Sequence, residues 1–194
     1  HDPAIASHGV ILRRPPTSGR ELWINSPEND AFFLFYQSTD TTRILHFNVT
    51  ANPTATWVVQ QLREAFPFDT APRHLIFDRD AIFSASVAST MTSFGIQPTR
   101  TAWKSPWQNG VAERWVGSIR RDVLDHVVVL NERHLRRLLT DYVAYYHDDR
   151  THLGLDKATP TSRSAAPCPA GDAEVVALPR LGGLHHRYEW RAAA

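Results

Sequence analysis

The chain has 194 residues, of which 42% are hydrophobic and 21% charged, and a formal net charge of +1 at pH 7. This apolar content can bury one core, which excludes an intrinsically disordered protein. The single cysteine, Cys168, excludes a disulfide framework and a cysteine-rich zinc site and favours a reducing, cytoplasmic compartment. No apolar run reaches the roughly 18 residues of a membrane span. Because the sequence begins at His1 rather than Met, we expect the natural reading frame to extend upstream.

The N-terminal region combines a proline-containing leader with strand-like segments. Residues 1–20 contain three prolines and little periodicity, so we expect an extended leader. Three β-favouring runs follow at residues 21–25, 31–36 and 43–49. The short turns between them predict an antiparallel meander.

A helix and a fourth strand come next. Asn52 before Pro53 predicts a capped helix start, and helical spacing continues to Phe66. Residues 74–77 form a short apolar strand that ends at Asp78. Open α/β sheets place their ligand sites at such carboxyl ends of strands.

The middle of the chain predicts a weak helix at residues 86–94 and a strand at 95–102. Gly95 would close the helix, and Pro98 favours an edge position for the strand. A longer amphipathic helix is expected at residues 131–147, where apolar residues recur at helical spacing.

Between these segments, another helix is expected to begin near residues 109–111. Val111, Trp115, Ile119 and Val123 repeat every four residues and predict one buried stripe. Glu113 lies off that stripe, so its carboxylate is expected on the polar side of the helix.

The last part of the chain changes composition. Residues after Lys157 are rich in Pro, Ser, Ala and Gly, and β-like character returns at residues 175–190. We therefore expect a leader at residues 1–20, one domain at 21–163, and a linker with a C-terminal tail at 164–194.

Asp78 and Glu113 form the chain's most specific pattern. Thirty-four residues, 79 to 112, separate the two acids, and Glu113 lies inside the string SPWQNGVAER of residues 105–114. One carboxylate ending a strand and another on a helix suit a divalent metal site, because hard oxygen ligands bind Mg²⁺.

This pattern resembles the second and third acids of DDE transposases and retroviral-type integrases. The resemblance covers about residues 31–163 and, more weakly, the segment GGLHHRYEW at 182–190. It implies an α/β, ribonuclease H-like fold with a five-stranded mixed sheet flanked by helices. It also implies DNA cleavage and strand transfer with two Mg²⁺ or Mn²⁺ ions, element-end and target DNA as partners, and a homo-oligomer on DNA. The expected location is cytoplasmic and nucleoid-associated when bound to DNA, and an upstream helix-turn-helix is a further expectation.

The first acid of the family has no matching aspartate here. Glu21 fits the position if one residue of the following turn is lost, so it is the provisional third metal ligand beside Asp78 and Glu113. A glutamate is one methylene longer, and a misplacement of about 1 Å can cost on the order of 10²-fold in rate. Asp30 and Asp40 fall in predicted turns, where solvent exposure is the simpler interpretation.

The basic residues near the acids are candidate phosphate contacts. From residue 100 to residue 163 there are eleven Lys or Arg against eight Asp or Glu, a modest excess of positive charge. Four of them lie around the predicted site and are interpreted either as DNA phosphate contacts or as ordinary solvent-exposed cations: Lys104, Arg114, Arg120 and Arg121.

The histidines do not predict a metal site. His185 and His186 are neighbours on a predicted strand and would point to opposite faces. His147 and His152 are expected to brace the end of the last helix, with a DNA phosphate contact as the alternative.

Three functions remain open from the sequence. The first is DNA integration or transposition by metal-dependent phosphoryl transfer, as the core of a bacterial insertion-sequence enzyme. The second is a degenerate copy that keeps nucleic-acid binding without catalysis, which the missing aspartate favours. A ribonuclease H-type nuclease is the third, and the SPWQNGVAER string disfavours it.

Overall fold

A computed structural model gives the fold. It describes the backbone of residues 6–11, 25–26, 29–30 and 32–38. Backbone and side chains are described for residues 42–67, 70–77, 81–103, 110–163 and 166–192, apart from the side chain of Val111.

A mixed sheet forms the centre of the fold. Its strands are β1 (Ala6–Ile11), β4 (Phe32–Ser38), β5 (Ile44–Thr50), β6 (His74–Phe77) and β7 (Gln97–Arg100). The strand order is β5-β4-β1-β6-β7. The pairs β1/β4 and β4/β5 are antiparallel, whereas β1/β6 and β6/β7 are parallel. The predicted edge position of the Pro98-containing strand is confirmed.

The central strand β1 was not anticipated, because it lies within residues 1–20, which were expected to be an extended leader. It pairs on both sides, with Gly9 opposite Tyr36 of β4 and Phe77 of β6. The antiparallel meander therefore begins with β1 instead of residues 21–25. Of that predicted strand, only Asn25 lies within the described residues, in a two-residue pairing of β2 (Asn25–Ser26) with β3 (Asn29–Asp30).

Two helices cover one part of the sheet. Helix α1 (Ala55–Ala65) is capped by Thr54, whose hydroxyl accepts from the Trp57 amide at 3.1 Å, so the predicted start at Asn52 is wrong by two residues. Helix α2 (Ala85–Ser93) is followed by Gly95, whose φ of +76° is the left-handed conformation that favours glycine. These helices share an apolar cluster with β6 through Val58, Leu62, Leu75, Phe77, Val87 and Met91.

Two longer helices pack against the sheet, one beside β5 and the other beside β1. They are α3 (Gly110–Asp122) and α4 (Glu132–Asp148), and both were predicted from their periodicity. The Asn131 side chain caps α4 by accepting from the His134 amide at 2.9 Å. The second apolar cluster joins these helices to the sheet through Ile44, Val49, Trp115, Ile119, Leu135, Leu139 and Tyr142.

The C-terminal tail is a structured hairpin. Strands β8 (Ala173–Arg180) and β9 (His185–Ala192) pair antiparallel, which confirms the β-like character of this segment. Leu181, at the turn, packs against the α3/α4 cluster. Among the described helices, none combines the length and the hydropathy needed to cross a membrane.

Candidate functional site

Glu113 lies in the first turn of α3 and is exposed. On the opposite side of the helix, Trp115 is 1% exposed and Ile119 and Val123 are buried, so the predicted stripe is confirmed at these three positions. The helix N-terminus favours a negative charge, which suits a carboxylate in this turn. The sequence therefore folds so that the same helix anchors itself in the core and presents Glu113 to solvent.

The structure tests the predicted acids only at Glu113. Glu21, Asp78 and Lys104 lie outside the described residues. Asp78 directly follows Phe77, the last residue of β6, which is paired with Gly9 of β1 and Arg100 of β7. Two parallel pairings thus fix the strand end to which Asp78 is attached.

Strand β1 contributes no carboxylate to this end of the sheet. Its sequence, ASHGVI, contains neither Asp nor Glu, although it lies between β4 and β6. Among the described residues, no three His, Cys, Asp or Glu side chains are grouped so as to hold a metal ion. The donors at Asp78 and Glu113 have the oxygen chemistry that suits Mg²⁺, but a third acid has to come from outside β1.

The predicted phosphate contacts on α3 divide between two faces of the helix. Arg120 pairs with Asp125 at 3.0 Å, and both side chains are about half exposed. Arg114 and Arg121 instead line a groove between α3 and residues 150–155, together with Ser118 and Arg150. Only Arg120 therefore shares the side of Glu113, because residues seven apart lie on one helix face.

Asp122, which the sequence analysis did not single out, joins α3 to three other parts of the chain. Its carboxylate accepts from the Tyr142 hydroxyl at 2.9 Å and from Arg150 Nε at 3.2 Å. Its carbonyl oxygen lies 2.9 Å from His185 Nε2 of the hairpin. Burial, reinforced by the neighbouring Asp122 charge, raises the pKa of Tyr142, so the phenol stays protonated and donates.

Two histidines brace the end of α4, as predicted. The Ile44 amide donates to His147 Nε2 at 2.9 Å, which requires a neutral imidazole. The ring of His152 packs edge-on against Tyr146 at 4.5 Å. Burial lowers the pKa of both His147 and His152, which favours the neutral forms that these contacts use.

A buried carboxylate fastens the hairpin to the core. The side chain of Asp149 is 3% exposed; it contacts Arg180 Nε at 2.6 Å and Arg187 Nη1 at 3.4 Å. His185 stacks on Tyr145 with ring centroids 4.8 Å apart, whereas His186 is exposed. The two neighbouring histidines thus have different environments, in agreement with the prediction that they make a poor shared metal pair.

Comparison with known proteins assigns the fold. Residues 94–160, about a third of the chain, match the family model described as integrase core domain. The HTLV-2 integrase catalytic core domain, solved in complex with magnesium in a dimeric form, is 12% identical with a TM-score of 0.59. That match covers 82% of this chain and 95% of the other. The chain has the fold of an integrase catalytic core domain.

Other solved structures resemble this chain over similar lengths. The catalytic core domain of BIV integrase is 17% identical with a TM-score of 0.58, covering 81% of this chain and 91% of that one. A chain of the simian T-cell lymphotropic virus intasome, solved with PP2A regulatory subunit B56 gamma, is 15% identical with a TM-score of 0.58. That match covers 98% of this chain and 67% of the intasome chain. Among curated proteins, none matches this chain.

Proposed function

We propose that this integrase core acts on DNA in integration or transposition, by metal-dependent phosphoryl transfer, as part of a bacterial insertion-sequence enzyme. The observation that carries the proposal is Glu113, exposed in the first turn of a helix that is otherwise anchored in the core. It follows Asp78 by the spacing typical of DDE enzymes, and Asp78 is attached to a strand of the central sheet. The integrase-core fold supports this combination.

The residues of this chain have distinct roles in the proposed reaction. Asp78, Glu113 and provisionally Glu21 would hold two Mg²⁺ or Mn²⁺ ions, which when bound supply charge neutralisation at the attacking and leaving oxygens. Glu113 lies on a helix whose opposite side is buried in the core, which fixes the position of its backbone relative to the sheet. Arg120, on the same side of α3, would contact the phosphate backbone of the reacting DNA, as would Lys104.

A second candidate function is supported by strand β1. Because β1 contains no Asp or Glu, catalysis depends on Glu21 or another acid from outside this strand. Without such an acid, the chain would bind DNA or assemble with other subunits but would not join DNA strands. The two functions differ only in chemistry, so an activity assay separates them.

The test is a strand-transfer assay with purified protein, Mg²⁺ or Mn²⁺, a target plasmid and oligonucleotides carrying the ends of the encoding element. We expect joined products from the wild type and a loss on the order of 10²-fold or more for Glu113→Gln and Asp78→Asn, since a ligand lost from a metal site misplaces the ions. Glu64→Gln is the matched control, because Glu64 is an exposed acid on α1. It should retain wild-type activity.

Each outcome assigns one function. Equal product from the wild type and Glu113→Gln would refute metal-dependent catalysis at this site. Bound DNA without product from the wild type would establish the second candidate, and hydrolysed DNA without joined product would indicate a ribonuclease H-type nuclease. Loss of activity in Glu21→Gln would identify the third metal ligand. Sedimentation with and without DNA would show whether a homo-oligomer assembles on it.

A further inference from the structure

A basic groove lies beside α3, away from the face that carries Glu113. It is formed by the helix on one side and residues 150–155 on the other, with a volume of about 480 Å³. Three arginines line it, Arg114, Arg121 and Arg150, and none of the described residues that line it is acidic. The size falls within the range of about 300 to 1,000 Å³ typical of ligand pockets.

The groove has an excess of positive charge. Within the described part of the chain, neither Arg114 nor Arg121 forms an ion pair, and both side chains are exposed. Arg150 shares its charge with Asp122 at 3.2 Å and lies over the Tyr146 ring at 5.7 Å. These two contacts fix Arg150 at the wall, while the other two guanidinium groups are available to an anion.

The groove and Glu113 lie on different sides of the same helix. At 3.6 residues per turn, Arg114, Ser118 and Arg121 fall on one face, and Glu113 is rotated from that face by about 90°. A phosphate group bound in the groove would therefore lie beside the face that carries Glu113 rather than on it.

We propose that the groove binds backbone phosphates of a DNA segment other than the reacting one, through Arg114, Arg121 and Arg150. The inference rests on the proposed function, because it takes DNA as the ligand. Guanidinium groups donate paired hydrogen bonds to phosphate oxygens, and such contacts position DNA without reading its sequence. The groove thus orients a second duplex or a distal part of the same one.

Gly117 positions one of these arginines. A Cβ at residue 117 would lie 3.0 Å from Arg121 Nη1 and 3.7 Å from its Cζ. The guanidinium thus lies close over the helix backbone because residue 117 has no side chain. Gly117→Ala would move the Arg121 guanidinium without removing its charge. This variant therefore tests whether the position of the charge matters as well as its presence.

The test measures DNA binding by fluorescence anisotropy in EDTA over a series of salt concentrations. Each phosphate contact contributes about 0.9 to the slope of log affinity against log salt. We expect Arg121→Gln to lower that slope by about 1 and Arg114→Gln/Arg121→Gln by about 2. Arg133→Gln, on the exposed face of α4, is the matched control and should keep the wild-type slope. Gly117→Ala should bind DNA less tightly than the wild type and more tightly than Arg121→Gln.

Two comparisons decide the proposal. Equal slopes for Arg121→Gln and Arg133→Gln would overturn it. Displacement of DNA by inorganic phosphate, at constant ionic strength and only when Arg121 is present, would support it, because DNA and the free anion would then compete for the groove.

The proposed function fails separately. Suppose that Arg121→Gln lowers the salt dependence of DNA binding while Glu113→Gln joins DNA as well as the wild type. The groove proposal is then supported, and the catalytic proposal is wrong. The reverse pair of results refutes the groove alone.

Discussion

The attachment of the C-terminal hairpin should depend on Asp149. This side chain is 3% exposed and lies between Arg180 and Arg187, whose own side chains are 35% and 29% exposed. Asp149→Ala removes the acceptor of Arg180 and the charge that Arg187 faces, whereas Asp149→Asn keeps a neutral oxygen that can still accept from Arg180. Asp149→Asn therefore removes only the negative charge, and Asp149→Ala removes the whole carboxylate group.

The contacts set the size of the effect. The Arg180 contact at 2.6 Å is a charge-assisted hydrogen bond, of a type that contributes about 1.5 to 3 kcal/mol. Arg187 is in ion-pair range at 3.4 Å but makes no hydrogen bond with the Asp149 Oδ1 atom that it faces. Breaking a fully buried pair costs about 3 to 5 kcal/mol, but these arginines are partly exposed and regain hydration. We therefore expect the loss of hairpin stability to be about 2 kcal/mol for Asp149→Ala and about 1 kcal/mol for Asp149→Asn.

Hydrogen exchange of the β9 amides and urea unfolding measure this effect. If the hairpin opens by itself, exchange in β9 accelerates while the urea midpoint changes little; if it unfolds with the core, both change together. Asp141→Ala, an exposed acid of α4, is the control. A change below about 0.5 kcal/mol by both methods, equal to that of Asp141→Ala, would refute the assigned role of Asp149.

Two further predictions concern stability. Gly117→Ala should raise the free energy of unfolding by about 0.5 to 1 kcal/mol in thermal melts, because alanine favours the helix and the exposed end of Arg121 can move; a decrease would show that Arg121 cannot adjust. Burial lowers the pKa of His147 in the folded state, so the unfolded chain takes up more protons just below its ordinary pKa of about 6.5. The contribution of His147 to the free energy of unfolding should be constant above that pH and fall as the pH drops through the folded-state pKa. His147→Gln should weaken this dependence in urea titrations from pH 7.5 to 5.5, and an unchanged dependence would exclude His147 as its source.

Local periodicity explains which helices could be predicted. The four-residue repeat of Trp115, Ile119 and Val123 encodes the buried face of α3, and the exposed position of Glu113 follows from it. The cap of α1 was misassigned because Asn52 and Thr54 are both suitable capping residues, and only the structure shows which one accepts the amide. The boundary of a helix is thus less determined by sequence than its buried face.

Long-range contacts account for what the sequence did not reveal. Strand β1 is defined by partners far along the chain, such as Tyr36 and Phe77 opposite Gly9, while the nearby prolines favoured an irregular leader. Asp122 likewise looks like an ordinary helix-end acid until the fold brings distant partners to it. The roles of Glu21, Asp78 and Lys104 remain predictions, since the family pattern identifies them and no described contact tests them.

Helix α3 is anchored in the core along most of its length. Its 13 residues span about 20 Å, with buried side chains from Ala112 to Ile119 and the Asp122 contacts at its far end. A helix held along its whole length does not bend toward a ligand. If the chain binds DNA as proposed, spin labels on an exposed α3 position and on a DNA oligonucleotide would report where the DNA lies relative to this anchored helix.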